Sequence, residues 1–286
     1  MEGDVGTTEP PAMPGIRILI DDLDDPRLAI YCHLKTHNLT RGAGQFVVEG
    51  EKLFERLLAS RFPVASVLVS DRYEAVVAAQ VPEGVPLYVL PHARVEALVG
   101  FNLHRGVLAC GCRRPWPELD ELAASAQPGP GSILIVCPQL DNPENLGAIL
   151  RIADVFGLLG VVAGPRCPDP LSRRVLRVSM GMALRVPVVV SYDLASALEP
   201  LRARRSFRLA ATVLDPAAVP LDRYEPPARL AVLLGCEAHG LDPAWEAQCD
   251  DRITIPMRPG AESLNVAVAA GIVAHHLTRP TTRPDR

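Results

Sequence analysis

Aromatic side chains are scarce in this 286-residue chain, where Phe, Trp and Tyr together make up 5%. Long apolar runs are missing as well. None approaches the roughly 18 residues that read as a membrane span. The longest candidate, Leu264 to Leu277, ends in His275 and His276 and reads as a buried helix. The seven cysteines (32, 110, 112, 137, 167, 236 and 249) are an odd number without a CxxC pair. Cys110 and Cys112 alternate along an expected strand, but no further ligands stand at metal-binding spacing. Buried reduced thiols are therefore expected, and no metal. The first 16 residues have no Lys or Arg but carry Glu2, Asp4 and Glu9. A basic secretion signal and an Arg-rich transit peptide are thus excluded, and a cytoplasmic protein with no membrane partner is expected.

An excess of one charge is also lacking, since 29 basic residues face 33 acidic ones for a net −4. That balance argues against a protein that coats nucleic acid, while leaving room for a local basic face. No GxxxxGKS/T, no helix-opening GxGxxG, no GxSxG and no HExxH occurs. A P-loop, a dinucleotide fingerprint, a nucleophile elbow and a zincin site are set aside accordingly. What is there is 48% hydrophobic and 22% charged, with 28 prolines spread between apolar runs. This is the composition of a soluble globular protein, and the length suggests two domains.

Residues 1–15 are acidic and rich in Pro and Gly, and read as a flexible tail. From Phe46 onward strand-like runs (FVVEG, VASVLVS, PLYVL, HRGVLACGC) alternate with helical ones (EKLFERLLAS, YEAVVAAQ, ARVEALVG). A small α/β domain is expected over 16–112. The stretch 113–131, charged in the middle and Pro/Gly-rich at its ends, reads as a linker. A second α/β domain with a mostly parallel sheet is expected over 132–286, starting with the buried strand SILIVC. Ligands of such sheets sit beyond the carboxyl ends of the strands. The loops that matter are then those after Cys137, Leu234 and Met257.

Each of those loops has distinctive wording. In DNPENLGAILRIADVFG (141–157), Pro143 starts a helix, Asn145 precedes Gly147, and Arg151 stands in an otherwise apolar run. A snorkelling Arg, or one paired with Asp154 three residues on, is as good a reading as a functional one. In LLGCEAHGL (233–241), Gly235 and Gly240 bracket Glu237, which suits a tight loop against a ligand and equally a plain turn. In IPMRPGAESLNVAVAAGI (255–272), Ser263 reads as the N-cap of the last helix, and Asn265 lies in its first turn.

Taken in this order and at these distances, the three loops resemble the motifs of the SpoU family of RNA 2′-O-ribose methyltransferases, in the SPOUT superfamily. The first motif is similar to Asn145-x-Gly147 with Arg151. The second is similar to Leu234-Gly235-x-Glu237-x-x-Gly240, and the third to Ile255-Pro256-Met257 with Ser263-Leu264-Asn265-Val266. VSMGMALRVPV (178–188) resembles the family's connecting segment, while FVVEGEKLFERLLAS and HRGVLA resemble its amino-terminal RNA-binding domain. One departure is Pro259, where the family usually has Gly, with Gly260 next.

The resemblance implies a deep trefoil knot in the C-terminal domain, with S-adenosylmethionine bound there by backbone groups around Leu234, Gly235, Ile255, Met257 and Leu264. It implies a homodimer with the site near the interface. It also implies a catalytic set of Arg151, Asn145, Glu237, Ser263 and Asn265. An Arg is essentially always protonated and is a poor base. Arg151 is therefore expected to bind the target phosphate and stabilise the attacking oxygen, with a phosphate-assisted Arg base kept open. RNA contacts are expected from Arg173, Arg174 and Arg177, in a stretch (166–185) that also holds Arg166, Arg185 and one acid, Asp169. A second cluster is Arg202, Arg204, Arg205 and Arg208. In the first domain Lys35, His37, Arg41, Lys52 and Arg105 are expected to read RNA. Ribosomal RNA is favoured as target. The alternatives are a transfer RNA 2′-O-methyltransferase, a non-catalytic RNA-binding protein of the same fold, and an enzyme acting on a small phosphorylated substrate.

Overall fold

The computed structural model describes residues 15–34, 40–101, 106–127, 129, 132–258 and 260–279. The chain divides into two compact units, one up to Arg113 and one from Arg114 on.

In the first unit the chain runs β1 (Ile16–Leu19), β2 (Gln45–Glu49), α1 (Glu51–Leu58), β3 (Val64–Ser70), α2 (Glu74–Val77), β4 (Pro86–Leu90), α3 (His92–Val99) and β5 (Val107–Cys112). The sheet order is β1-β4-β3-β5-β2. β1, β4 and β3 run parallel, whereas β5 is antiparallel to both β3 and β2. β1 escaped the sequence pattern because it is a short edge strand, with Ile16, Arg17 and Leu19 all exposed. α1 shows the opposite case. Leu53, Phe54 and Leu57 recur at helical spacing and are buried, so pattern and structure agree.

The second unit continues with α4 (Leu119–Ala124), β6 (Ile133–Gln139), α5 (Pro143–Val155), β7 (Gly160–Arg166), α6 (Arg173–Val178), β8 (Val188–Val190), α7 (Leu194–Arg205), β9 (Arg208–Thr212), β10 (Val219–Pro220), β11 (Leu230–Leu233), α8 (Pro243–Glu246), β12 (Asp251–Thr254) and α9 (Val266–Leu277). Its sheet order is β10-β12-β9-β11-β6-β7-β8, and every pairing is parallel. On one face Leu134 and Val136 of β6 pack with Leu194, Leu198 and Leu201 of α7. Alternation sends Ile135 and Cys137 to the other face, and both are fully buried.

The linker expected at 113–131 is corrected here. Leu119, Leu122 and Ala123 of α4 are buried in the same core cluster as α7. Arg205 of α7 also grips Asp120 through two hydrogen bonds of 2.7 and 2.8 Å. The Pro and Gly at both ends of that stretch hid a two-turn helix whose apolar face belongs to the second unit.

The topology places the site. From β6 the chain moves to β7 and β8 on one side, then returns to β9 and β11 on the other. The crevice of such an order opens beyond the carboxyl ends of β6 and β11, where the strand order reverses. Among the described residues no helix is long and apolar enough to cross a membrane.

Candidate active site

Three loops meet in that crevice. Asn142 begins α5 as its N-cap, its side-chain oxygen accepting the Glu144 N–H at 2.8 Å, with Pro143 at the first helical position. Gly147 has a packing reason. A Cβ there would lie 2.9 Å from Cβ of Val178 and 3.1 Å from the Val175 carbonyl, so it permits α5 and α6 to touch rather than admitting a ligand.

From the second loop, Glu237 reaches across to the start of α5. Its carboxylate accepts the backbone N–H of Asp141 at 3.2 Å, that of Asn142 at 3.3 Å, and the Asn145 side-chain amide at 2.5 Å. Asn145 in turn accepts the Asn265 amide at 3.0 Å. Asn265 closes the chain, because its own oxygen accepts the N–H groups of Ala267 and Val268 and caps α9. The expected N-cap was Ser263. The structure gives that role to Asn265, two residues later, where the side chain faces the first free N–H groups. Ser263 is exposed and lines the cavity described below.

This relay fixes both amides. A carboxylate accepts only, so Asn145 must turn its NH2 to Glu237 and its oxygen to Asn265. Partial burial works to raise the Glu237 pKa, but the Asn145 amide and the backbone N–H groups of Glu237, Asp141 and Asn142 outweigh it and hold the carboxyl below its ordinary value. Glu237 is therefore ionised at neutral pH, with its oxygens engaged. Asn145, only 6% exposed, ties three loops together.

The second loop is pinned to itself. Cys236 and Gly240 exchange backbone hydrogen bonds of 2.9 and 3.0 Å, and Gly240 takes a φ of +69°. Gly235 was expected to let a ligand approach. Its space is filled instead by the loop's own return, since a Cβ would stand 2.2 Å from the Leu241 nitrogen.

Beside the relay lies a cavity of about 450 Å³. It is lined by all five residues expected to hold the cofactor, namely Leu234, Gly235, Ile255, Met257 and Leu264, together with Glu237 and Ser263. Leu221, Ile253 and Val266 supply buried apolar wall. Two further acids line it, which no sequence pattern singled out: Glu262, and Glu246, whose carboxylate accepts from Arg252 at 2.7 Å. Its described lining contains no Lys or Arg. Such a cavity suits a ligand with a flat apolar part and net positive charge, and repels a phosphate.

Arg151 lies on the exposed side of α5, six residues after Asn145 and so about 9 Å further along the helix axis. It has no hydrogen-bond or ion-pair partner among the described residues. Asp154, its possible partner, turns to Arg185 at 3.4 Å. Of the basic stretch, Arg174 is paired with Glu144, while Arg177 is exposed. The second cluster is corrected. Arg202, Arg205 and Arg208 are bound to Asp250, Asp120 and Asp251, so three of its four charges hold the fold and are not held out for phosphate. In the first unit Arg41 is exposed, whereas Lys35, His37 and Arg105, like Pro259, lie outside the described residues.

Among the described residues no cluster of His, Cys, Asp or Glu fits a metal ion. The seven cysteines are free, and burial pushes Cys110 up to about 12 and Cys167 up to about 11, so both are protonated thiols.

An all-parallel sheet with a reversed strand order, three loops joined by an Asn–Glu–Asn relay, and an acidic, largely apolar cavity define an α/β enzyme built for a cationic donor. The chain belongs to the SpoU rRNA Methylase family, whose sequence profile matches residues 132–275. An uncharacterized tRNA/rRNA methyltransferase of Mycobacterium tuberculosis is 35% identical over 269 residues, 90% of each chain. The 23S rRNA (guanosine-2′-O-)-methyltransferase RlmB of Acinetobacter baylyi is 32% identical over 200 residues, covering 69% of this chain and 80% of the relative. Among solved structures, an RNA 2′-O ribose methyltransferase aligns with a TM-score of 0.70 at 26% identity, over 92% of this chain and 98% of the other. The AdoMet-bound rRNA methyltransferase of Sinorhizobium meliloti shares the fold, with a TM-score of 0.77 at 23% identity over 91% of this chain and 97% of that one.

Proposed function

We propose that this chain transfers the methyl group of S-adenosylmethionine to a ribose 2′-hydroxyl of RNA, ribosomal RNA before transfer RNA. The observation that carries this reading is the cavity itself. Its apolar wall suits an adenine, and Glu237 and Glu262, the two carboxylates there with no cation beside them among the described residues, suit a cationic donor; it adjoins the relay that joins the three motifs. The same carboxylates argue against a small phosphorylated substrate in that cavity.

S-adenosylmethionine supplies a methyl already activated by its positive sulfur. The protein has to place the hydroxyl in line and ease the loss of its proton. Glu237 is poorly suited to take that proton, because its oxygens already accept three hydrogen bonds and its pKa is lowered. Its work is positioning, as is that of Asn145 and Asn265. Arg151 binds the phosphate of the target nucleotide and stabilises charge growing on the 2′-oxygen. Ser263, at the cavity mouth, offers a hydroxyl to the ribose.

The working form is a homodimer. Val155 on α5 is 69% exposed, Val268 and Ile272, four residues apart on α9, are 51% and 39% exposed, and Leu264, just before that helix, is 38% exposed. α5 and α9 are neighbours, with Gly271 against Ile152. An apolar face of this kind on adjacent helices supports a second copy docking there. Arg151 would then lie at the edge of a shared site. The trefoil knot belongs to the same reading, as does a cytoplasmic location.

RNA is held by Arg173 and Arg177, by Arg174 once it leaves the exposed Glu144, and by Arg41, Lys35 and Arg105 from the first unit. Replacing Arg173, Arg174 and Arg177 together by Gln weakens RNA binding and flattens its salt dependence, by a slope change of about two to three. S-adenosylmethionine affinity stays unchanged. Filter binding across a salt series checks this, and an unaltered slope would make the cluster a solvated face. The activity reading itself is tested by calorimetry. Micromolar binding of S-adenosylmethionine supports it, and no heat at millimolar donor sinks it.

A further inference from the structure

A second cavity, of about 220 Å³, shares Leu234 to Cys236 and His239 to Leu241 with the larger one. Its remaining wall is different. It is made chiefly by Gln139 at the end of β6, Arg166 at the end of β7, and Trp245 of α8. None of these three lines the donor cavity. Its charge also differs, with one guanidinium and one carboxylate in the wall. Arg166 is exposed and has no hydrogen-bond or ion-pair partner for its side chain among the described residues, and His239 is also in the wall. Asp242, the one acid in the wall, has an oxygen engaged by the Ala244 N–H at 2.9 Å.

The backbone is bent to make this wall. The β6–β7 register shifts between Cys137 and Gln139, which brings Gln139 level with Arg166. Irregularities of this kind re-aim side chains beside functional sites. Gly164 permits the shift, since a Cβ there would stand 2.4 Å from the Pro138 carbonyl oxygen. Gln139 donates to Asp141 at 3.0 Å, which leaves its carbonyl oxygen and one N–H for a ligand. Trp245 is half-buried, packs against the core and lines the pocket.

The geometry points to a pocket for a nucleobase of the RNA, the base of the acceptor nucleotide, turned out of its stack. The space is smaller than the roughly 300–1,000 Å³ of a whole cofactor site. An indole face, an amide with both donor and acceptor free, and an unpaired guanidinium are the groups that stack on and read a flat base edge. The shared loop puts this pocket next to the donor cavity, so a base held here brings its own ribose to the methyl. The inference rests on the activity proposed above and adds what selects the nucleotide.

The test uses the full chain, S-adenosylmethionine, and total RNA from cells lacking the gene. Gln139→Leu, Arg166→Gln, Trp245→Ala and Trp245→Phe are compared by methyl-transfer kinetics, by RNA retention on filters and by donor calorimetry. Loss of one stacked base costs on the order of tenfold or more. Trp245→Ala is therefore expected to raise the half-saturating RNA concentration by about that factor, and Trp245→Phe to recover most of it. Gln139→Leu changes no charge and is expected to raise it severalfold, so that its effect is not that of a lost phosphate contact. Donor affinity stays within about twofold in all four. If Trp245→Ala does not fold, Gln139→Leu and Arg166→Gln carry the test. Unchanged RNA saturation in both overturns the inference, as does a parallel loss of donor affinity, which would assign the pocket to the donor. Absence of transfer by the wild-type protein sinks the activity instead, and filter retention then still reads the pocket.

Discussion

Arg151→Ala leaves the fold and S-adenosylmethionine binding near wild type and lowers methyl transfer by about two orders of magnitude or more. The separation of the two effects follows from position. Arg151 is exposed on α5, contributes no ion pair among the described residues and does not line the donor cavity. Removing it takes away no packing and no cap. Only charge stabilisation near the acceptor is lost, and in a preorganised site one such group has about that effect. Arg151→Lys rescues poorly, because an ammonium keeps the charge but not the planar fork that grips a phosphate. Single-turnover transfer to total RNA, with calorimetry as the folding control, reads both. Alanine-variant activity within a few-fold of wild type would remove Arg151 from the mechanism.

Gly235→Ala abolishes donor binding, and Gly235→Val does no better. The first Cβ is the whole difficulty, since it would meet the Leu241 nitrogen at 2.2 Å and the Gly240 carbonyl carbon at 2.3 Å. Both are backbone atoms, and no rotamer relieves them. The loop must open, which breaks the Cys236–Gly240 bridge and withdraws Glu237 from Asp141, Asn142 and Asn145. Gly240→Ala supplies the contrast. It has open space around it and only its φ of +69° to strain it, so it costs about 1 kcal/mol and keeps donor binding. Calorimetry and thermal melting of the three variants separate these outcomes. Normal donor affinity in Gly235→Ala would remove the 235–241 loop from the cavity wall.

What could be read in advance follows a physical division. Buried strands and amphipathic helices write their periods into the sequence, so β6, β11, α1 and α9 were legible. α4 was not, because two turns are too few to show a period between proline-rich ends. The motif residues were legible as words, yet their roles lay in distances. Asn265, not Ser263, caps α9, which depends on side-chain direction at two neighbouring polar positions. Gly147 makes room for α6, and Gly235, which lines the cavity, also makes room for the return of its own loop. The arginines show the limit most clearly. Arg202, Arg205 and Arg208 read as a basic patch, but their partners Asp250, Asp120 and Asp251 are 43 to 85 residues away, and no local pattern could pair them. Glu246 and Glu262 went unnoticed for the same reason.

The central claim is methyl transfer from a cationic donor to a ribose oxygen of RNA. Its most direct test is incubation of the protein with methyl-labelled S-adenosylmethionine and total RNA from cells lacking the gene, followed by alkaline hydrolysis and mapping. A 2′-O-methyl blocks cleavage of the adjoining phosphodiester, so the label is expected in alkali-resistant dinucleotides at a discrete position of ribosomal RNA. Label recovered on a base, or none transferred at all, would contradict the account.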